Sequence, residues 1–347
     1  MKKNLIAFLV LLNYAATAQT GGDNTYEFLN LPSAARIASM GGVFVSVKDN
    51  DINLVLQNPS ALNNNMHNQL AFNYVDYLSD IKYGYVACAR NYDKIASFAV
   101  GLDYLNYGKF IAADANGIQT GTFSAAEYAL NMSASRPFGD SLFSVGATVK
   151  LIYSQLESYN SFGIASDIGL NYYNPEKEFC ITLVARNIGT QITTYTPGNH
   201  EPLPFQIDFG ISKRLSKAPF RFNLNITHLE KFDITYDNPN SSSQTDPVTG
   251  EPVTDKITTG NKIMRHMIPG LEVLLSKNFH LRFAYNFQRR RELGIDSKMG
   301  MVGFSGGIGL KIAKFHLSYA RSVYSLAGGT NTFSIAFDLD EFGPKKK

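Results

Sequence analysis

The chain has no tryptophan, only two cysteines and little charge: 18% of its 347 residues are charged, and the net charge is +3. Each shortage excludes something. A weak, scattered positive balance lacks the basic face that nucleic acid requires, so no nucleic-acid partner is expected. The one basic run, Lys345 to Lys347, ends the sequence and reads as a solvated tail. Beyond the first residues, no apolar stretch reaches the roughly 18 positions of a membrane-spanning helix. Cys88 and Cys180 fall in segments that are not neighbours. They lie beyond bridging reach and read as free, small packing residues.

What is plentiful is Gly (28), Phe (24) and Tyr (19). Aromatic, glycine-rich chains of low charge suit β-structure with one apolar and one polar face.

The N-terminus reads as an address. Met1-Lys2-Lys3-Asn4 is a positive start, Leu5 to Leu12 a short apolar core, and Ala16-Thr17-Ala18 a small-x-small site. A signal peptide over 1–18, cleaved between Ala18 and Gln19, follows.

From residue 69, apolar and polar residues alternate with period 2 in segments separated by turns. Phe143, Val145, Ala147, Val149 and Leu151 alternate with Ser144, Gly146, Thr148, Lys150 and Ile152. We place strands at 69–76, 81–90, 95–106, 122–135, 142–154, 163–173, 178–187, 204–213, 220–229, 268–275, 279–288, 302–312, 314–322 and 331–339. Strands near 10 residues suit a tilted bilayer crossing, whereas soluble strands average about 5–6. Alternate connections are tight, for example 91–94, 174–177 and Ala313. The others are longer: 107–121, 155–162, 188–203, 230–267, 289–301 and 323–330. Short periplasmic turns opposite long external loops mark an outer-membrane barrel, and an even strand count puts both termini in the periplasm. The fold class is therefore all-β: an antiparallel transmembrane barrel of about fourteen strands over 69–347. Its inward phase carries Lys150, Asp167, Arg186, Asp208, Arg221, Arg282 and Lys311, while Lys213 and Arg321 fall outward at strand ends. Outward tyrosines near strand ends, Tyr83 and Tyr85, Tyr104 and Tyr107, Tyr172 and Tyr173, Tyr319 and Tyr324, are expected to form the interfacial girdle.

Residues 19–68 do not read as strands and are expected to form a plug in the lumen. Ser33 is the expected cap of a short helix over Ala34 to Met40, ended by Gly41. Gly101, Gly146, Gly169 and Gly210 thin the inner wall, either to make room for that plug or to mark a lateral route.

Motifs for chemistry are weak. Asp49, Asp51 and Asn53 have the spacing of a calcium loop, but Leu54 stands where glycine is required and Ser60 where glutamate is. Gly303, Gly306, Gly307 and Gly309 lie in a strand without a following helix, so close packing explains them better than phosphate binding. The six histidines form no ligand pair, and no serine sits in a nucleophile elbow. No catalytic, cofactor or metal site is expected, and the chain reads as a non-enzyme.

The run Tyr26-Glu27-Phe28-Leu29-Asn30-Leu31-Pro32-Ser33-Ala34-Ala35-Arg36 is followed by Gly41-Gly42, then Asp49-Asn50-Asp51-Ile52-Asn53 and Asn58-Pro59-Ser60. This series resembles the PorQ group of the PorV/FadL-like outer-membrane barrels, which serves type IX secretion in Bacteroidota. The Gly-Gly and Asn-Pro-Ala elements are typical of FadL-type barrels, and here Ser60 replaces the alanine. The resemblance implies a non-enzymatic surface anchor. Such a barrel holds a PorZ-like protein at the outer face, in one attachment complex with PorU and PorV that joins cargo to lipopolysaccharide, itself surrounded by outer-membrane lipid. Loops 188–203 and 230–267 are then the expected docking loops. The same resemblance admits a FadL-type transporter of hydrophobic small molecules. A third reading, an open porin, conflicts with a plug.

The protein recovered from the outer-membrane fraction is expected to begin at Gln19. N-terminal sequencing that reads Met1 instead would refute the cleavage assignment.

Overall fold

A computed structural model of the protein describes residues 24–93, 95–139, 142–235, 244–245, 252–253, 258–294, 300–325 and 328–342. The signal segment 1–18, its Ala18–Gln19 junction and Lys345 to Lys347 lie outside the described residues.

Fourteen strands close into one antiparallel barrel. They are β1 (Gln69–Asp76), β2 (Lys82–Tyr92), β3 (Ala96–Ala113), β4 (Gln119–Phe138), β5 (Phe143–Leu156), β6 (Tyr159–Asn174) and β7 (Phe179–Thr193). Then come β8 (Gln206–Arg214), β9 (Phe220–Ile226), β10 (Met267–Leu274), β11 (Phe279–Tyr285), β12 (Phe304–Ile312), β13 (Phe315–Ser325) and β14 (Gly328–Asp338). Each strand pairs with its sequence neighbour, and β1 closes on β14 in register from Gln69–Asp338 to Asp76–Asn331. Closure leaves no sheet edge in lipid, where an unpaired backbone group costs several kcal/mol. Every expected strand is present. No helix of the described residues is long and apolar enough to cross a membrane, a statement that does not concern strands.

The period-2 alternation sets which side chains meet lipid. Val145, Val149 and Leu151 of β5 are exposed on the outer face, as are Ile164, Ile168 and Leu170 of β6. Their neighbours Ser144, Thr148 and Lys150, with Asp167 and Asn171, are buried inside. The inward charges pair across the wall: Lys150 with Asp167 at 2.8 Å and Arg186 with Asp208 at 2.8 Å. Lys213 and Arg321 are exposed, as expected of outward ends.

Three expectations are corrected. First, 107–121 and 155–162 are not long loops. β3 and β4 continue pairing from Lys109–Ser124 to Ala113–Gln119, and β5 runs directly into β6. The segments there satisfy their backbone groups by pairing with each other. Residues 107–113 and 119–124 thus form a two-stranded ribbon that projects past β2 and β5. Second, the strand at 279–288 stops at Tyr285. Asn286 accepts a hydrogen bond from the Arg289 N–H at 2.9 Å and starts a helix, α3 (Phe287–Leu293), after α1 (Ala35–Ser39) and α2 (Thr259–Arg265). Third, Tyr83 and Tyr85 do not join a lipid-facing girdle. Both are buried inside, Tyr107 hydrogen-bonds inward to Glu127 at 2.6 Å, and Tyr324 stacks under Arg289. In a pleated strand residues two apart share a face, so Tyr83 and Tyr85 turn together. On β2 the outward phase is Gly84, Val86 and Cys88, so its tyrosines fill the lumen. Cys88 and Cys180 are free.

Val149→Arg, placed midway along the outer face of β5, is expected to destabilise the folded barrel in liposomes by about 2–4 kcal/mol. Denaturant titration measures this; an unchanged midpoint would mean that this face does not lie in lipid.

Candidate functional site: the plugged lumen

The barrel interior is filled by residues 24–68. The local sequence explains the shape of this plug. Ala34, Ala35 and Ala38 are small enough to press α1 against the wall, where Ala35 and Ala38 pack on Ala320. Gly41 and Gly42 then reverse the chain with φ of +90° and +99°, values that favour glycine. A side chain at Gly41 would also strike Ile268, 2.4 Å from the position of its Cβ. Helix α1 is shorter than expected, and Ser33 does not cap it. Ala34 holds the cap position without a side-chain bond, and Ser334 of β14 accepts the Ala35 N–H at 2.8 Å. The wall supplies the cap that the plug sequence lacks.

Arg36 projects from α1 into the centre of the site. Its guanidinium meets both carboxylate oxygens of Glu272 on β10, at 3.0 and 3.1 Å, and both of Asp49, at 3.0 and 2.8 Å. Asp51 receives a further bond at 3.2 Å. Arg221 of β9 and Arg282 of β11 also bind Glu272, at 2.7 and 3.0 Å. Three cations thus face three carboxylates. Burial alone pushes the Asp49 carboxyl up, but the Arg36 charge outweighs it and holds the group below its usual range. The Asp49-Asp51-Asn53 spacing therefore serves a guanidinium. Among the described residues, no three His, Cys, Asp or Glu side chains are placed to hold a metal ion.

The Asn58-Pro59-Ser60 element meets the opposite wall. Asn58 donates to the Val45 carbonyl at 2.9 Å and accepts from the Ser60 N–H at 3.0 Å, which holds a tight turn. That turn lies flat on β5 and β6. A Cβ at Gly146 would sit 2.3 Å from the Pro59 backbone, and one at Gly169 would sit 2.8 Å from Asn58 Oδ1. At Gly210 it would press on Ser46 at 2.7 Å, whereas at Gly101 it would strike the Tyr85 ring at 2.5 Å. Three of these four glycines make room for the plug and the fourth for an inner aromatic. Gly307 likewise admits Ser39, at 2.7 Å from a would-be Cβ. Hydrogen bonds from Ser144 to the Ser60 carbonyl, Ser212 to the Ser46 carbonyl, Ser322 to the Ala38 carbonyl and Asn286 to the Gly41 carbonyl tie the plug around the circumference.

The two mouths differ. Toward the ribbon end, Tyr26, Phe28 and Leu29 of the plug pack against Val75, Tyr83, Leu105 and Ile152 in an apolar, aromatic layer. At the tight-turn end lies a polar cavity of about 540 Å³ that includes Lys48, Asp49, Glu178, Arg214 and Arg221 in its lining. An apolar groove of about 550 Å³ bordered by Phe72, Tyr74, Leu317 and Phe333 lies on the outer wall, on the lipid-facing phase.

No protein-family model matches the sequence, nor does any curated protein. Among solved structures, the chain is similar to the Pseudomonas putida toluene transporter TodX, with 13% identity, a TM-score of 0.47, and coverage of 86% of this chain and 95% of that one. It is also similar to the CymD monoaromatic hydrocarbon channel, with 12% identity, a TM-score of 0.47, and coverage of 88% and 97%. A Pseudomonas aeruginosa FadL homologue has 12% identity, a TM-score of 0.45, and coverage of 89% and 98%. At these identities the likeness concerns the barrel and says nothing of cargo.

The motif residues Gly41, Gly42, Asp49, Asp51, Asn58 and Pro59 all sit in the plug or at its contact with the wall. Sequence reading missed Glu272, the carboxylate that joins three arginines. Its signal was present: in the segment 268–275 it is the lone acid on the inward phase, with Ile268 and Gly270. Glu272→Gln leaves three guanidiniums facing two carboxylates, and losing one partner of a buried pair costs about 3–5 kcal/mol. Faster hydrogen exchange over residues 35–56 and a raised conductance in planar bilayers are expected. Unchanged exchange would show that the cluster does not hold the plug.

Proposed function

We propose that this protein is a plugged outer-membrane barrel that works as an anchor, holding a PorZ-like partner at the cell surface within a type IX attachment complex. The observation that carries this reading is the lumen. A segment tied to the wall by an ion cluster and by hydrogen bonds around the circumference makes a poor conduit and a rigid platform. Each element of the sequence motif that suggested the family contributes to that plug. The surfaces available to a partner at the external end are then the ribbon 107–124, the connection 194–205 and helices α2 and α3. Much of the expected docking loop 230–267 lies outside the described residues. In this reading the protein supplies position, and any covalent chemistry on cargo belongs to its partners.

A second reading, passage of hydrophobic small molecules, draws on the apolar layer around Tyr26, Phe28, Leu29 and Tyr83. TodX and CymD are named for such cargo. Transport requires that the plug move, because its side chains fill this layer.

Deleting the gene in its host separates the two. Release of surface-attached proteins into the medium, with unchanged uptake of toluene, is the expected outcome. Intact surface attachment with impaired uptake would replace the anchor by the transporter.

A further inference from the structure

The polar cavity at the tight-turn mouth has more positive charge than its neighbours neutralise. Arg36, Arg221 and Arg282 are balanced by Asp49, Asp51 and Glu272. Arg214 faces Glu178 at 3.1 Å. Lys48 is left over. It forms no ion pair among the described residues, and its ammonium donates to the neutral Ser144 hydroxyl at 2.8 Å. Burial pushes that ammonium below its usual range without a carboxylate to offset it.

Two further observations point the same way. Arg214 and Arg221 stand directly opposite each other across β8 and β9, both on the inward phase. Like charges so placed repel, and Glu178 beside the first and Asp49 with Glu272 beside the second are taken up in offsetting this, which leaves none of these carboxylates for Lys48. In addition, the Arg214 Nε–H is buried and has no acceptor among the described residues, although the other arm of the same guanidinium is paired. A buried donor left open is destabilising, and an acceptor placed beside it removes that cost. Lys48, Arg214 and Arg221 all line the same cavity, whose volume of about 540 Å³ exceeds what a water or two would need.

We propose that this cavity binds a small oxyanion, a phosphate or carboxylate group, held by the Lys48 ammonium and the Arg214 Nε–H beside Arg221. Glu178 and Asp49, which also line it, are occupied by Arg214 and by Arg36 and Arg221. They orient the cations and leave Lys48 as the uncommitted charge. The site is independent of the anchor and transporter readings, since it lies at the opposite end of the plug from the apolar layer.

The test uses the full mature protein in detergent at fixed ionic strength. Inorganic phosphate and, separately, acetate are titrated while the thermal midpoint is followed, and phosphate binding is read directly from ³¹P line broadening. At least one of the two anions is expected to raise the midpoint saturably. Lys48→Met is expected to abolish the saturable response, Lys48→Arg to keep it, and Arg214→Gln to weaken the affinity about tenfold. Loss of heat-modifiable migration on gels identifies a variant that has not folded; the wild-type titration then decides. A wild-type protein with no saturable response to either anion overturns the proposal, as does a folded Lys48→Met that binds like the wild type.

Discussion

The structure turns on a buried balance of charge. Arg36 enters a lumen largely filled by protein, where an isolated guanidinium would be costly, and it is tolerated because Glu272 and Asp49 meet it with paired oxygens. Arg221 and Arg282 in turn need Glu272. The cluster joins the plug to three adjacent strands, β9, β10 and β11. Replacing such a cluster by apolar groups is often neutral or favourable, so its value here is in geometry: it fixes one docked position of the plug.

The remaining contacts follow from that position. With α1 packed on β12 and β13 and its Arg36 reaching Glu272 of β10, the reversal at Gly41 and Gly42 carries the chain across the barrel. The Asn58-Pro59-Ser60 turn then lands on β5 and β6, where Gly146 and Gly169 leave room. Wall serines and asparagines accept from or donate to the plug backbone at Ala35, Ala38, Gly41, Val45, Ser46 and Ser60, so the irregular segment finds partners in the wall. The result separates an apolar mouth from a polar one, and the polar mouth keeps one cation more than its carboxylates balance.

The outside obeys a different rule. Facing lipid, the wall needs apolar side chains and a closed ladder, and it has both. Where the strands rise beyond the neighbouring strands the rule relaxes, and β3 and β4 continue as a ribbon of mixed polarity whose outer edges have no partner strands among the described residues. That ribbon and the two short helices give this end of the barrel a shape that tight turns alone would not.

The amino-acid sequence by itself determined the strand number, the inward and outward phases and the presence of a lumen segment. A residue's neighbours two positions away decide its face, and that relation is local. It marked Lys150, Asp167, Arg186 and Asp208 as interior charges for the same reason. It did not decide whether Tyr83 and Tyr85 faced lipid or lumen, because both phases of β2 carry apolar residues and only the filling of the lumen shows that the pair turns inward. Nor did it show that Glu272 would answer Arg36, 236 positions earlier, or that Ser334 would cap a helix beginning at Ala35. Those pairings depend on barrel closure, which brings β14 beside β1 and seats the plug among strands distant in sequence. Only the tertiary structure decided them.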